Sequence, residues 1–331
     1  MRISVIGAGS WGTTVAALAA RKNPTILWAR RPELAESINE TAENADYLAD
    51  IRLPYGLRAT SDPAEAVEGA ELVIMAVPSH GFRAVFSGMA GRISDETPLL
   101  SLVKGIEQGT RLSMTQVIAA EDGERNPARV GVLTGPNLAR EVANGQPAAA
   151  VIGMADEAAS KSIQAALMDP TFRIYTNTDV VGCELAGALK NVMALAAGMA
   201  RGLGFGQNTL AALITRALAE LTRLGTAMGG TPETFAGLAG MGDLIATCQS
   251  DQSRNNRVGM ALARGQKLET IISEMNMVAE GVKTVTPVLE LAAEHGIETP
   301  IASQVSQVLH EGVHPRDAVL TLMTREARPE G

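Results

Sequence analysis

The sequence predicts a protein of the α/β class, with a mostly parallel sheet in a first domain and an all-α second domain. Two observations predict this arrangement. Short apolar runs alternate with helical stretches over residues 1–178, as in crossover units that connect parallel strands. Over residues 179–331, strand-like runs are nearly absent and helical patterns follow one another. We therefore expect the domain boundary near residue 178.

Most of the predicted strands are short runs that are apolar on both faces, as expected in a sheet covered on both sides. These strands are predicted at residues 3–7, 25–29, 71–77, 98–104, 129–135, 147–153 and 172–176. A helix over 10–21 follows the first strand, and Pro32 begins another at a first-turn position that suits proline. The segment 44–60, which contains Pro54 and Gly56, is predicted to be irregular. In the second domain, helices are predicted at residues 180–203, 207–229, 257–264, 268–274, 281–295 and 301–311.

The composition argues against several classes of protein. A net charge of −8 and an aromatic share of 3% do not suit a nucleic-acid-binding protein, because neutralising phosphates needs cations and stacking bases needs aromatic rings. Cys183 and Cys248 lie far apart without metal-ligand spacing, so we expect buried thiols and no metal site. No charged-then-apolar leader and no uncharged run of about 18 apolar residues is present. We therefore expect a cytoplasmic protein without a membrane span.

A glycine pattern follows the first strand. Gly7, Gly9 and Gly12 match G-x-G-x-x-G between a strand and a helix, which is the context that a dinucleotide-binding turn requires. The first glycine permits a tight turn, the second lets the backbone approach a pyrophosphate, and the third lets the helix pack on the strand. The helix start adds free N–H groups and partial positive charge. We expect a Rossmann-like domain that binds a dinucleotide; the alternative is a glycine-rich turn without a ligand.

Two arginines follow the second predicted strand. A carboxylate there would accept hydrogen bonds from the 2′-hydroxyl of an adenosine ribose, whereas a cation there pairs with a 2′-phosphate. This chain has Arg30 and Arg31, and its nearest acid is Glu33, beyond Pro32. The sequence therefore predicts NADP(H) as the cofactor, with NAD(H) as a second cofactor. The alternative is a pair of solvated arginines at a helix entrance.

Polar residues also follow two other predicted strands, at the carboxyl ends where open parallel sheets bind ligands. Lys104 ends one apolar run and suits a phosphate or a carbonyl oxygen. Gly135 and Pro136 precede a predicted helix whose first residues include Asn137, which makes a second site for an anion or a polar ligand. The alternatives are a lysine whose amine reaches solvent and an asparagine that only caps a helix.

Lys190 interrupts a long helical run of small and apolar residues. Ala186, Gly187, Met193 and Ala194 surround it at helical spacing, so we expect the amine to be removed from water. Removal from water lowers the pKa of an amine, and a lowered pKa suits a group that exchanges a proton near neutral pH. The alternative is a lysine on an exposed helix stripe.

Two further clusters in the second domain carry polar side chains. Asp243 follows a glycine-rich turn, with Thr247 one turn later on the same helix face. Ser253, Arg254 and Asn255 are suited to hold a phosphate, which arginine binds through two parallel hydrogen bonds. The alternatives are a capping aspartate and a solvated polar loop.

Taken in order, these residues resemble the bacterial type of NAD(P)-dependent glycerol-3-phosphate dehydrogenase. The resemblance rests on seven motifs that span nearly the whole chain, namely "GAGSWGT", "SLVKGIE", "LTGPNLA", "ELAGALKNVMALAAG", "GLAGMGDLIATC", "QSRNNR" and "VAEG". It implies reduction of dihydroxyacetone phosphate to sn-glycerol 3-phosphate for phospholipid synthesis. It also implies that the helical domain is similar to the C-terminal domain of 6-phosphogluconate dehydrogenase.

The resemblance also implies a role for each matching position. Cofactor contacts are implied for Gly7, Gly9, Ser10, Trp11, Gly12, Arg30, Arg31, Lys104, Ala139, Arg254, Val278 and Glu280. Substrate contacts are implied for Lys104, Gly135, Asn137, Lys190, Asp243, Ser253, Arg254 and Asn255. Lys190 matches the family's proton donor and acceptor, and Lys104 would add positive charge as an alkoxide develops. One departure is Asn137, where the family more often has serine or threonine.

Two other kinds of protein share part of this pattern. β-Hydroxyacid and 6-phosphogluconate-type dehydrogenases join similar domains, but their K-x-x-N motif would need asparagine where this chain has Met193. A non-catalytic dinucleotide sensor would keep the glycine turn without needing Lys190 or the cluster around Arg254. The apolar helical domain makes a homodimer plausible, and the expected partner is the small phosphorylated substrate.

Overall fold

The computed structural model describes residues 1–275 and 279–326. Ten strands are present in this part of the chain. They are β1 (Ile3–Ile6), β2 (Thr25–Trp28), β3 (Glu43–Asn44), β4 (Ala49–Arg52), β5 (Leu57–Thr60), β6 (Leu72–Met75), β7 (Leu99–Ser101), β8 (Val130–Thr134), β9 (Ala148–Gly153) and β10 (Phe172–Asn177). Eight form one sheet, and β3 pairs with β4 in a short antiparallel ribbon.

Helices cover both faces of the sheet and then make up the rest of the described chain. Those between the strands are α1 (Ser10–Ala20), α2 (Pro32–Thr41), α3 (Ala45–Leu48), α4 (Pro63–Val67), α5 (Ser79–Ala90), α6 (Met114–Glu121), α7 (Ala139–Ala143) and α8 (Glu157–Leu167). Those after the sheet are α9 (Val180–Gly202), α10 (Gln207–Ala227), α11 (Pro232–Ala236), α12 (Asp243–Gln249), α13 (Arg254–Ala263), α14 (Leu268–Ser273), α15 (Glu280–Glu294), α16 (Pro300–His310) and α17 (Pro315–Met323). A 3₁₀ turn (Pro127–Arg129) and a π-helical turn (Leu238–Gly242) complete the elements.

The sheet confirms the predicted fold class. Its strand order is β10-β9-β8-β7-β6-β1-β2-β5, and every neighbouring pair is parallel except β8 and β9. The chain moves outward from β1 in both directions, through β2 to one edge and through β6 to the other. Such a switch point opens a crevice at the carboxyl ends of the strands, where open parallel sheets bind ligands.

The prediction of irregular structure over residues 44–60 is wrong. This segment contains α3, β4 and β5, and β5 extends the sheet beyond β2 with Leu57 and Ala59 buried. Pro54 and Gly56 lie in the turn between β4 and β5, so they interrupt neither strand. The strands are four residues long, too short to establish a periodicity in the sequence.

One helix in the second part of the fold begins earlier than predicted. The sequence predicts a helix over residues 257–264, but α13 begins at Arg254. The Ser253 hydroxyl accepts a hydrogen bond from the backbone N–H of Asn256 at 3.2 Å and caps this helix. The polar cluster around Arg254 is therefore the first turn of a helix, where backbone N–H groups are available to an anion.

The centre of the helical part is α9, which is buried from Gly182 to Ala200. It packs closely on α13 because both helices have a glycine at the contact. A Cβ on Gly198 would lie 2.1 Å from the Asn256 carbonyl oxygen, and one on Gly259 would lie 2.2 Å from that of Leu195. Neither position accommodates a side chain without separating the two helices.

In the described part of the chain, α9 is also the single helix long and apolar enough to cross a membrane by length and composition. Of its most apolar 18-residue window, 83% is buried inside the fold. The window is therefore covered by the neighbouring helices, which accounts for its apolar composition.

Candidate active site

A cleft of about 850 Å³ lies between the carboxyl edge of the sheet and the helical part of the fold. It collects most of the residues that the sequence predicts to be functional. Those lining it are Gly7, Gly9, Ser10, Trp11, Gly12, Arg30, Arg31, Lys104, Asn137, Ala139, Lys190, Asp243, Ser253, Arg254, Asn255 and Glu280. Gly135 does not line the cleft, although its carbonyl oxygen accepts a hydrogen bond from Lys104. Val278 lies outside the described residues.

The glycine turn at one end of the cleft is shaped to receive a phosphate group. Gly7 has a φ of +121°, and a Cβ there would lie 2.7 Å from the Ala76 carbonyl oxygen. A Cβ on Gly12 would lie 2.0 Å from the Gly7 carbonyl oxygen, so α1 approaches β1 as closely as the backbone allows. Gly9 has no neighbour within 4 Å of its Cβ position, and no side chain caps α1 at this residue. Open space therefore meets a helix N-terminus, which fits a dinucleotide pyrophosphate.

At the other end of the cleft, the Asp243 carboxylate lies between two lysine amines. Lys190 Nζ donates to Asp243 Oδ1 at 2.6 Å, and Lys104 Nζ donates to Asp243 Oδ2 at 2.7 Å. Lys190 also donates to the Thr247 hydroxyl, and Lys104 donates to the Gly135 carbonyl oxygen at 3.0 Å. The carboxylate and the Lys190 side chain are 2% and 6% exposed, so water screens this cluster weakly.

Burial lowers the pKa of the Lys190 amine to about 8. The charge of Lys104 also lowers this pKa, and the Asp243 carboxylate raises it in part. An amine with a pKa near 8 holds its proton at neutral pH and still releases it to an alkoxide or accepts it from an alcohol. The environment of Lys190 therefore suits general acid–base catalysis.

A chain of amide hydrogen bonds fixes the backbone around Lys104. The Asn191 amide donates to the Lys104 carbonyl oxygen at 2.7 Å, and the Asn255 amide donates to Asn191 Oδ1 at 2.9 Å. The backbone N–H of Gly281 donates to Asn255 Oδ1 at 3.0 Å. These bonds connect α9, α13 and α15 to the loop after β7. The second amide proton of Asn255 remains available to a ligand.

Arg254 and Glu280 begin two helices that meet at the cleft. The Glu280 carboxylate accepts the backbone N–H of Ser79 at 3.1 Å and the Ser79 hydroxyl at 2.5 Å. This contact ties the start of α5 in the sheet domain to the start of α15 in the helical part. Burial lowers the pKa of the Arg254 guanidinium, and the charge of Glu280 raises it in part.

The two arginines after β2 differ in their surroundings. The Arg31 guanidinium forms an ion pair with Asp46 and lies 5.9 Å from the centroid of the Tyr47 ring. Arg30 lines the cleft and makes no hydrogen bond or ion pair with residues 1–275 or 279–326. Its guanidinium is therefore available to an anionic ligand.

Asn137 lies at the cleft but bonds to the backbone. When the amide is oriented so that its nitrogen faces these acceptors, the nitrogen donates to the carbonyl oxygens of Ala149 and Pro136 at 3.2 and 3.3 Å. The Oδ1 atom remains as the acceptor that this side chain offers to a ligand.

Neither Thr247 nor Asn191 is among the predicted cofactor and substrate contacts, although both bond to the predicted lysines. The sequence could have indicated Thr247 as a site residue, since it lies four residues after Asp243 on the same helix face. It could not have indicated Ser79, because its partner Glu280 is 201 residues away in the chain.

Comparisons with known proteins agree with this arrangement. A family model described as the NAD-dependent glycerol-3-phosphate dehydrogenase N-terminus matches residues 2–160, and one for the C-terminus matches residues 179–320. The chain is 54% identical over 308 residues to a glycerol-3-phosphate dehydrogenase (NAD(P)+) from Sphingopyxis alaskensis, covering 93% of this chain and 92% of that one. It is 50% identical over 332 residues to one from Streptomyces griseus, covering 100% and 98%.

Solved structures give the same result. The crystal structure of glycerol-3-phosphate dehydrogenase from Coxiella burnetii is 38% identical, has a TM-score of 0.92, and is matched over 98% of this chain and 99% of that one. A D-mandelate dehydrogenase is similar in fold alone, at 14% identity and a TM-score of 0.62 over 96% and 100% of the two chains.

Proposed function

Because the chain belongs to the NAD-dependent glycerol-3-phosphate dehydrogenase family, we propose that the cleft is its active site and that Lys190 exchanges the proton of the reaction. The enzyme makes sn-glycerol 3-phosphate with NAD(P)H, and the family supplies this product to lipid biosynthesis. The observation that carries the proposal is the buried Lys190 amine, which faces the cleft and shares Asp243 with Lys104.

The cofactor occupies the end of the cleft that contains the glycine turn. The turn and the start of α1 receive the pyrophosphate, and Arg30 and Arg31 lie on the side of the 2′-phosphate. The cofactor contacts are completed by Ser10, Trp11, Ala139, Arg254 and Glu280. When bound, the nicotinamide supplies a hydride to the C2 carbonyl carbon of dihydroxyacetone phosphate.

The chain provides the proton and the positive charge that the substrate oxygen needs. As the C2 oxygen gains negative charge, the Lys190 ammonium gives it a proton; in the reverse direction the neutral amine accepts that proton from the hydroxyl group. Lys104 adds a second positive charge beside this oxygen. Asp243 orients both amines, and Thr247 orients Lys190.

The substrate phosphate binds at the start of α13. Ser253 caps this helix, and Arg254 and Asn255 lie in its first turn, where the guanidinium and the helix N-terminus both attract an anion. Asn137 lies on the opposite wall, and the Gly135 carbonyl oxygen positions the Lys104 amine. Holding the phosphate fixes the carbonyl against the nicotinamide, so this contact contributes to turnover as well as to binding.

The proposal also covers the domain boundary, the oligomeric state and the cellular location of the protein. We propose a domain boundary at residue 178, between β10 and α9. We propose a homodimer, supported by the exposed Leu320 and Met323 side chains of the helical domain and tested by sedimentation. Buried, unpaired thiols at Cys183 and Cys248 support a cytoplasmic location.

The test is the absorbance of NADPH at 340 nm. We expect it to fall when dihydroxyacetone phosphate is added, and to rise in the presence of NADP+ when sn-glycerol 3-phosphate is added. Oxidation of β-hydroxyacids or 6-phosphogluconate in place of sn-glycerol 3-phosphate would contradict the proposal. NADPH binding without turnover of any of these substrates would favour a sensor.

A further inference from the structure

A short turn beside the glycine loop carries the counter-ion of Arg31. This α3 turn, residues 44–48, consists of α3 and its capping residue Asn44 and lies between α2 and β4. The fully buried Asn44 amide donates to the Ala8 carbonyl oxygen at 2.9 Å and to the Thr13 hydroxyl at 2.8 Å. The Ser10 hydroxyl donates to the Tyr47 carbonyl oxygen at 2.5 Å. These three bonds fix the α3 turn on the glycine loop, and with it the position of Asp46.

Asp46 neutralises one of the two cofactor-facing arginines. Its carboxylate pairs with the Arg31 guanidinium, and both side chains are 50% exposed. The guanidinium also lies over the Tyr47 ring of the same turn. Arg30 has no carboxylate partner in the described part of the chain. The two arginines therefore differ: Arg30 is available to a phosphate, whereas Arg31 already has an anion beside it.

The Arg31–Asp46 ion pair should affect the affinity for NADPH and not the affinity for NADH. A 2′-phosphate that binds Arg31 must share the guanidinium with Asp46 or displace it, and the carboxylate also repels the phosphate. Displacing a carboxylate from an exposed ion pair should weaken binding of the phosphate-bearing cofactor by up to about fivefold. A cofactor without the 2′-phosphate has no charge at that position and meets no competition.

We propose that Asp46 is a specificity-determining residue, which limits the preference for NADPH over NADH by neutralising Arg31. The inference rests on the proposed binding of the dinucleotide in the cleft. The α3 turn therefore contributes to cofactor specificity, together with the glycine loop and the two arginines.

The test is the affinity of the full chain for each reduced cofactor in the absence of substrate. Both tryptophans of the chain, Trp11 and Trp28, line the cleft, so quenching of protein fluorescence reports cofactor binding. In Asp46→Asn, we expect the Kd for NADPH to fall about two- to fivefold and the Kd for NADH to change by less than about 1.5-fold. The substituted side chain is half exposed, so the fold is retained.

Two further variants separate a specific effect from a general one. Glu157→Gln removes the same charge from an exposed pair with Lys161 on α8, away from the cleft, and both Kd values should stay unchanged. In an Arg31→Ala background, Asp46→Asn should no longer strengthen NADPH binding, because the competition acts through Arg31.

Each outcome decides between the alternatives. An unchanged ratio of the two Kd values in Asp46→Asn overturns the role of Asp46 and leaves the proposed function intact. Weaker NADPH binding also overturns it, since Asp46 would then hold Arg31 ready for the phosphate. Failure of the unsubstituted chain to bind either cofactor overturns both the inference and the proposed function.

Discussion

Replacing Asp243 by asparagine should move the pH dependence of catalysis toward acid. The Asp243 carboxylate accepts hydrogen bonds from both Lys190 and Lys104, and it opposes the effects of burial and of the second lysine on the Lys190 pKa. Asparagine keeps the size of the side chain and one oxygen but removes the charge. The Lys190 ammonium then loses its main stabilising partner while remaining buried beside Lys104.

The size of the shift follows from the strength of one charge-assisted bond. Such a bond contributes about 1.5–3 kcal/mol, and 1.36 kcal/mol corresponds to one pKa unit. From a pKa of about 8, we expect the Lys190 amine of Asp243→Asn to titrate about one to two units lower. Reduction of the substrate needs the ammonium form, so kcat/KM should fall as the pH rises through this pKa.

The assay is the pH profile of kcat/KM for reduction of dihydroxyacetone phosphate. The descending limb should lie near pH 8 in the unsubstituted enzyme and one to two units lower in Asp243→Asn. Asp251→Asn is a matched control, because Asp251 also lines the cleft but pairs with Arg201. A descending limb that stays in place, or moves toward alkaline pH, would refute the assignment of this limb to Lys190.

Two other predictions concern the glycine turn and a buried carboxylate. Gly12→Ala should lower the free energy of unfolding by about 1–3 kcal/mol, because its Cβ would lie 2.0 Å from the Gly7 carbonyl oxygen. Gly9→Ala should leave the free energy of unfolding unchanged, since no atom lies within 4 Å of its Cβ position, and should weaken NADPH binding at least about tenfold. Equal effects of the two substitutions on stability would contradict this geometry. Glu220 accepts the backbone N–H groups of Ile301 and Ala302 at the start of α16, and burial raises its pKa to about 7. The folded chain therefore binds a proton that the unfolded chain releases between about pH 4.5 and 7, so stability from this group falls as the pH rises. In chemical denaturation, the free energy of unfolding of Glu220→Gln should increase by about 2 kcal/mol relative to that of the unsubstituted chain as the pH rises from 5 to 7.5. A difference that does not change with pH would contradict the raised pKa.

Several features of the site were predictable because they depend on neighbours in the sequence. The three glycines follow a strand and begin a helix, and this context limits what such a turn can bind. The burial of Lys190 follows from the small residues at helical spacing around it. Both predictions concern contacts within one or two turns of chain, which a single sequence records directly.

Other features depend on contacts between distant segments. The pairing of Arg31 with Asp46 requires that the α3 turn fold back onto the glycine loop through Asn44. The reversal of β9 in the sheet is similar, because an apolar run has no direction. These arrangements are set by packing and by buried hydrogen bonds whose partners are not adjacent in sequence.

Proton exchange by the Lys190 amine underlies the proposed reaction. Its most direct test is kcat for reduction of dihydroxyacetone phosphate by Lys190→Ala, with the Kd for NADPH measured on the same preparation. We predict a loss of about a hundredfold or more in kcat with little change in this Kd, because the amine lies at the substrate end of the cleft. A folded variant that turns over at nearly the unsubstituted rate would contradict the role of Lys190 in proton exchange.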